Sequence, residues 1–344
     1  IYVVKGQGGY SVLREMPSGH SGGIVFSVNA NRIFDAFMKN FAKAAGRPLL
    51  ELTWDEEDGS GIIKQFRADG KILAATFSRF MDMGEPHGLF MGGDMPYGDL
   101  DRDPDAKTSG MGFFDGRKWF HIWCASNEGF NLANSETILG PVNWKFLGSK
   151  KIKDTYDEIV VESYHEGEIE GGNIQMKRKV SFRAGDDYLI LSVKFTNPGS
   201  EEVEYSYAYG DEPWVGEYGD SGGDVGWYEK GMVETETTID PRVNKHAGFW
   251  DYGNLSAGEL RGYSGYADFI EWLTPTPTYV FFSNGFQCCT VGKPIGSAKE
   301  RVINVVWNGM KLKPGESAAH KLAIGMAKTI FLGYPVAPLI EDRQ

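Results

Sequence analysis

Tyr188-Leu189-Ile190-Leu191-Ser192-Val193-Lys194-Phe195, followed by Thr196-Asn197-Pro198-Gly199 and then Val203-Glu204-Tyr205-Ser206-Tyr207, is the stretch that decides the fold. Tyr188 to Asn197 alternates for the length of a full strand, and side chains that alternate with period two line opposite faces of a sheet. Pro198-Gly199 cannot continue that strand and turns the chain into a second one, Glu202 to Tyr209.

The same reading extends in both directions. Leu49 to Trp54 is a strand closed by the acidic turn Asp55-Glu56-Glu57-Asp58-Gly59. Ile62 to Ala68 and Lys71 to Phe77 flank Asp69-Gly70, a strong hairpin signal. Lys118 to Ala125 is aromatic and alternating, and Glu158 to Glu168 and Asn173 to Arg183 are split by Gly171-Gly172. Tyr279 to Ser283, Arg301 to Trp307 and Ala318 to Ala327 complete the set. One helix is expected from Arg32 to Ala45, with Ile33, Phe34, Phe37, Met38 and Phe41 as its apolar stripe and Gly46 and Pro48 as its stop. The expected architecture is mostly β: a large antiparallel β-sandwich (supersandwich) with one N-terminal helix, forming a single domain over 1–344. Two segments rich in Gly, Asp and aromatics, 84–115 and 210–265, read as loop excursions.

Composition narrows the partners. A formal net charge of −12 repels phosphate backbones, so nucleic acid is not expected as a partner. No apolar run approaches the roughly 18 residues of a membrane-spanning helix, so no membrane insertion is expected. Cys124, Cys288 and Cys289 are too few for a disulfide scaffold, and neighbours in a strand face opposite ways, so Cys288 and Cys289 are not expected to pair with each other.

Two segments resemble galactose-mutarotase-like β-supersandwich proteins: Lys179 to Tyr207, with its Asn197-Pro198-Gly199 turn, and Trp307 to Gly325, where Leu312-Lys313-Pro314-Gly315-Glu316-Ser317 looks like the start of that superfamily's closing hairpin. The resemblance implies a carbohydrate-active or carbohydrate-binding protein whose second strand delivers a polar, aromatic loop to a concave face. Members include sugar epimerases, polysaccharide-lyase and glycosidase domains, and sugar-binding modules. The chain departs from the epimerases at two places. Tyr209-Gly210-Asp211-Glu212-Pro213-Trp214 holds no His, and Phe282-Ser283-Asn284-Gly285-Phe286-Gln287 lacks the late catalytic Glu.

Three clusters carry candidate chemistry. Asp211 and Glu212 beside Trp214 supply two carboxylates and an indole on which a sugar ring can stack; a plain turn built around Pro213 is the alternative. His246-Ala247-Gly248-Phe249-Trp250-Asp251-Tyr252 joins an imidazole to an aromatic platform, with Arg261 and Tyr263 close behind as the cation and base a lyase would use. Trp119, His121 and Trp123 are expected on one strand face as an aromatic strip, with Phe120 and Ile122 opposite. Asp99, Asp101, Asp103 and Asp105 alternate as hard oxygen ligands would for Ca²⁺, the one cofactor the sequence suggests, although Pro104 and Gly110 exclude an EF-hand.

The reading is a carbohydrate-processing protein of lyase, glycosidase or epimerase type, acting on a glycan or oligosaccharide in a concave cleft. The alternatives are a non-catalytic glycan-binding protein and a structural protein that uses its aromatic loops as an interface. A periplasmic or extracellular location is expected; oligomeric state is not legible.

Overall fold

The computed structural model describes residues 2–6, 9–13, 49–57, 59–67, 69–77, 110–123, 125–131, 144–169, 172–212, 215–216, 224–252, 264–285, 288–295, 301–329 and 334–340. The chain divides into two compact units, Ile1–Leu49 and Leu50–Gln344. In the first, β1 (Tyr2–Gly6) and β2 (Gly9–Leu13) pair antiparallel, Tyr2 opposite Leu13. The helix expected at Arg32–Ala45 lies outside the described residues, and among the described residues the secondary structure is all strand.

The second unit holds β3 (Leu50–Trp54), β4 (Gly61–Phe66), β5 (Ile72–Phe77), β6 (Gly110–Phe114), β7 (Trp119–Trp123), β8 (Ala125–Asn131), β9 (Lys145–Asp154), β10 (Glu158–Ile169), β11 (Gly172–Arg183) and β12 (Tyr188–Thr196). It continues with β13 (Val203–Glu212), β14 (Asp224–Tyr228), β15 (Gly231–Val233), β16 (Thr237–Ile239), β17 (His246–Asp251), β18 (Ala267–Thr274), β19 (Tyr279–Ser283), β20 (Val302–Leu312) and β21 (Ser317–Ala327). They form a nine-stranded sheet ordered β15-β14-β17-β18-β21-β12-β11-β10-β9, a five-stranded sheet β16-β19-β20-β13-β8 and a second five-stranded sheet β3-β4-β5-β6-β7. Every pairing is antiparallel, so the mostly β, antiparallel expectation holds. The 210–265 stretch read as loop contains β14, β15, β16 and β17.

The two strands of the opening motif do not pair with each other. β12 lies in the nine-stranded sheet against β21, while β13 lies in the β16-to-β8 sheet against β20. The "closing hairpin" is corrected in the same way: β20 and β21 belong to different sheets, and the Leu312–Ser317 turn arches between them. Asn197 ties the two arches together. Its side-chain amide donates to Leu312 O (3.0 Å) and Glu201 O (2.7 Å), while its backbone carbonyl accepts from Gly315 N (2.8 Å). Gly315 sits at φ 73°, a conformation glycine adopts without steric cost.

Between these sheets lies the core of the sandwich. Alternation in β12 sends Leu189, Leu191, Val193 and Phe195 inward. The Phe195 ring meets Tyr205 at 5.2 Å and Tyr207 at 4.9 Å across the gap, and Phe249 meets Phe282 at 5.4 Å. Burying each such ring contributes on the order of 2–3 kcal/mol. The β3-to-β7 sheet joins the nine-stranded one through named bonds: Trp54 Nε1 donates to Ser149 Oγ at 3.0 Å, and Gln65 Nε2 donates to Asp186 O at 2.9 Å. Cys288 and Cys289 lie outside any strand, in the segment after β19, where they are joined to each other. The opposite-faces argument against that pair fails because the segment is not extended sheet.

Candidate functional site

Odd residues of β17 point into the sandwich, as Phe249 shows, so His246, Gly248 and Trp250 face outward. The sheet register places Glu271 of β18 directly opposite His246. Cross-strand partners of this kind hold their Cβ atoms about 5 Å apart. On the other side β14 pairs with β17 through Tyr228 and Ala247, which brings the next residue, Glu229, beside the imidazole: Oε1 lies 3.9 Å from His246 Nδ1. The Trp227 ring stands 5.4 Å from that of His246. Glu229, in the turn after β14, thus adjoins the cross-strand pair His246 and Glu271, with an indole beside them.

Gly248 makes the pairing possible. A Cβ there would come within 2.2 Å of Asp268 O, so a larger residue would force β17 and β18 apart. Gly226 plays the matching part on β14, where a Cβ would lie 2.9 Å from the Phe282 ring.

The two titratable partners are tuned in opposite directions. Burial raises the Glu271 carboxyl; Lys245 pulls it back and Glu229 adds to the rise, leaving it at about 7. Burial lowers His246 below its usual value, and Glu229 opposes that shift. Near neutral pH a large share of Glu271 is therefore protonated while His246 is mostly an uncharged imidazole. A half-buried carboxyl that is raised and a half-buried imidazole that is lowered thus occupy paired strand positions, and these are the residue types that general acid–base chemistry uses.

The remaining sequence candidates are distributed over other elements. Trp250 lies on the His246 face, buried, its ring 4.9 Å from half-buried Tyr252. Asp211 and Glu212 end β13 in another sheet, paired through Asp211 with Ile303 and through Glu212 with Ala125. Trp214, Arg261, Tyr263 and Asp99, Asp101, Asp103 and Asp105 lie outside the described residues. Among the described residues no three His, Cys, Asp or Glu side chains have metal-binding geometry. The aromatic strip on β7 is broken by a bulge. Gly112 pairs with His121 but Met111 pairs with Trp123, so Trp123 shares the face of Phe120 and not that of His121 and Trp119. Trp123 and His121 are buried, and burial lowers His121 to about 4.

Sequence reading missed Glu229 and Glu271. A signal existed for the latter: Phe269-Ile270-Glu271-Trp272-Leu273 places a lone carboxylate in an apolar run that is otherwise good strand. It also missed the polar groups inside the sandwich. Arg178 and Glu128 form a buried ion pair, Tyr207 Oη donates to Glu128 Oε1 at 2.9 Å, and Tyr205 Oη lies 2.8 Å from His320 Nε2. Asp224, Asp251 and Asp268 are buried as well, and each accepts a backbone N–H: Val215 N at 3.0 Å, Ser264 N at 2.6 Å and Phe249 N at 2.5 Å.

No family model matches the chain, and no curated protein matches it in sequence. Solved structures do. It is similar to a galactose mutarotase-like protein from Clostridium acetobutylicum at 13% identity, covering 82% of this chain and 99% of that one, with a TM-score of 0.43. It is also similar to a galactose mutarotase-like protein from Lactobacillus casei at 5% identity, covering 80% of this chain and 99% of that one, with a TM-score of 0.40. An α-galactosidase of family GH36 from Geobacillus stearothermophilus matches at 10% identity over 81% of this chain and 41% of its own length, with a TM-score of 0.37. Identities this low carry no residue roles across, and the Glu229–His246–Glu271 cluster stands on this chain's own register.

Proposed function

We propose that this chain processes a carbohydrate, with Glu271 and His246 as a proton-transfer pair on the outward face of the nine-stranded sheet. The observation that carries the proposal is their direct cross-strand pairing, with burial raising the carboxyl to about 7 and lowering the imidazole. Glu271 in its protonated form donates to a ring or glycosidic oxygen. His246 in its neutral form takes a proton from a hydroxyl or an acidic carbon. Glu229, 3.9 Å from Nδ1, then stabilises the imidazolium that forms. Half-buried Tyr252, its ring seated against that of buried Trp250, supplies apolar surface on which a sugar ring packs.

The reaction class stays that of a lyase, glycosidase or epimerase. Asp211, Glu212, Trp214, Arg261, Tyr263, Trp119, His121 and Trp123 belong to the proposal as further substrate-side candidates. So do a Ca²⁺ site at Asp99 to Asp105 and a periplasmic or extracellular location. The test is a panel of oligosaccharides followed by product chromatography, by absorbance of unsaturated uronate and by NMR of anomer exchange. His246→Ala and Glu271→Gln are each expected to lower turnover about 10²- to 10⁴-fold, the range for a positioned acid or base. Glycan binding without turnover in the wild-type chain would replace the enzyme by a binding module. Turnover unchanged in both variants would remove the pair.

A further inference from the structure

The chain has a net charge of −12, yet one stretch of the outward face of this sheet is rich in lysine. Two residues along from the Glu271 row, the register runs Glu162, Lys179, Ser192, Lys321 across β10, β11, β12 and β21. The next row runs Tyr164, Lys177, Lys194, Ala319. Four lysines therefore project from three adjacent strands. Their neighbours leave most of that charge uncompensated. Lys177 is paired with Glu162 at 3.1 Å, and Glu162 also accepts from Tyr164 Oη at 2.8 Å. That carboxylate is thus already engaged beside Lys179. Lys194 and Lys321 form no ion pair with another described residue. Between these lysines and the acid–base pair runs the row Glu271, Ala323, Ile190, Ser181, in which Ala323 is buried and Ile190 packs against the Tyr188, Trp250 and Phe269 cluster.

We infer that the substrate is an anionic polysaccharide lying across the strands, its carboxylates or sulfates on Lys179, Lys194 and Lys321 and its reacting sugar at His246 and Glu271. This rests on the acid–base reading of the same face. Charge complementarity selects the polymer, and geometry selects its class. Neighbouring strands are about 4.8 Å apart, a spacing comparable to one sugar, so successive lysines meet successive charged residues of a chain. The basic stretch is bounded by Glu162 and Glu158 on β10 and is only about 10 Å wide across three strands. That is too narrow to engage both backbones of a nucleic acid duplex.

Polygalacturonate, alginate, dextran and duplex DNA serve as probes in isothermal titration calorimetry against the full chain at two salt concentrations. Polygalacturonate or alginate is expected to bind with an affinity that falls steeply with salt, dextran to bind at least 10-fold more weakly, and DNA to show no saturable binding. The double variant Lys179→Gln/Lys321→Gln is expected to lose at least 10-fold of that affinity with an unchanged thermal midpoint. Lys313→Gln, on the turn between β20 and β21 and outside these rows, is expected to bind like wild type. Equal binding of dextran, saturable binding of DNA, or full affinity in the double variant would overturn the inference. The acid–base reading fails separately. If the polyanion binds through the lysines but His246→Ala and Glu271→Gln both keep full turnover, the pair is wrong and the polyanion site stands. If both variants lose turnover on a neutral glycan that the lysine variant still processes, the pair stands and the anionic substrate is wrong.

Discussion

Two polar clusters, each built around a desolvated glutamate, sit on opposite sides of the nine-stranded sheet and behave differently. Inside the sandwich, burial raises the Glu128 carboxyl, but Arg178 and Tyr207 both bond to it, and the side chains of the ion pair are 1% and 3% exposed. On the outward face, burial raises Glu271 to about 7, and no described side chain donates a hydrogen bond to it. The contrast separates a structural network from a reactive one. A desolvated carboxylate with its full set of donors stays put as part of the scaffold, whereas one desolvated without donors is left titrating near neutral pH.

The largest expected effect tests the first half of that contrast. Arg178→Ala strands Glu128 in the core without its cation, and breaking a buried pair in this way costs about 3–5 kcal/mol. Chemical denaturation reads it. Glu271→Gln should not lower stability at pH 7, since it removes a carboxyl whose ionisation there is unfavourable. If Arg178→Ala costs less than about 1 kcal/mol, the inner network is not scaffold and the contrast collapses.

Glu236 extends the same logic to a surface loop. Burial pushes its carboxyl up, but Thr290 N (2.5 Å), Asn284 N (3.0 Å), Asn284 Nδ2 (2.8 Å) and Lys293 Nζ (3.3 Å) more than offset that and hold it at about 2. These donors come from the segment that follows β19 and includes the joined Cys288 and Cys289, so one carboxylate organises the whole turn. Glu236→Ala is expected to cost about 2–3 kcal/mol, the worth of charge-assisted hydrogen bonds whose donors lose their partner. The sign with pH follows. A carboxyl lowered on folding contributes stability above its unfolded value of 4.5, and that contribution is lost as pH falls from about 4.5 to about 2. Acid titration of wild type against the variant measures it; parallel curves over that window would show that the loop is not held by this charge.

Much of the fold was legible because its signals are local. The β12 alternation, the Asp69-Gly70 hairpin and the two Pro-Gly turns each lie within a few residues of chain, and each formed where expected. What the sequence could not show is which sheet a strand joins: Pro198-Gly199 reads the same in a hairpin and in the arch it forms here. The β14-to-β17 region was read as loop because its strands are short and rich in glycine. Gly226 and Gly248 are there for close approach of neighbouring groups, not for turning. The candidate site was half legible for the same reason. His246 could be singled out alone, but Glu229 lies 17 residues before it and Glu271 25 after it, and they meet only through the β14-β17-β18 register. The β7 bulge defeated the aromatic strip in a similar way, because one extra residue reverses every face beyond it.

The smallest effect is the most discriminating, because its direction opposes that of Glu236. The Glu271 carboxyl is raised on folding, from 4.5 to about 7, so the native state holds its proton more tightly than the unfolded chain does. Its contribution is fully present below about pH 4.5 and is lost as pH rises through about 7. Since Glu271 is only half-buried, solvent screening reduces the effect to about 1–2 kcal/mol. His246, lowered on folding, acts the other way, losing stability as pH falls through its unfolded value of 6.5. Wild-type stability alone therefore mixes the two. The difference between wild type and Glu271→Gln isolates the carboxyl, and it is expected to shift against wild type by about 1–2 kcal/mol between pH 4.5 and 7.5 and to level off above. The alkaline limb of turnover should follow the same group, because activity needs Glu271 protonated, and it should disappear in Glu271→Gln. A stability difference flat across that window would mean that Glu271 ionises as an ordinary surface carboxylate, and the outward cluster would then have no more claim to chemistry than the inner one.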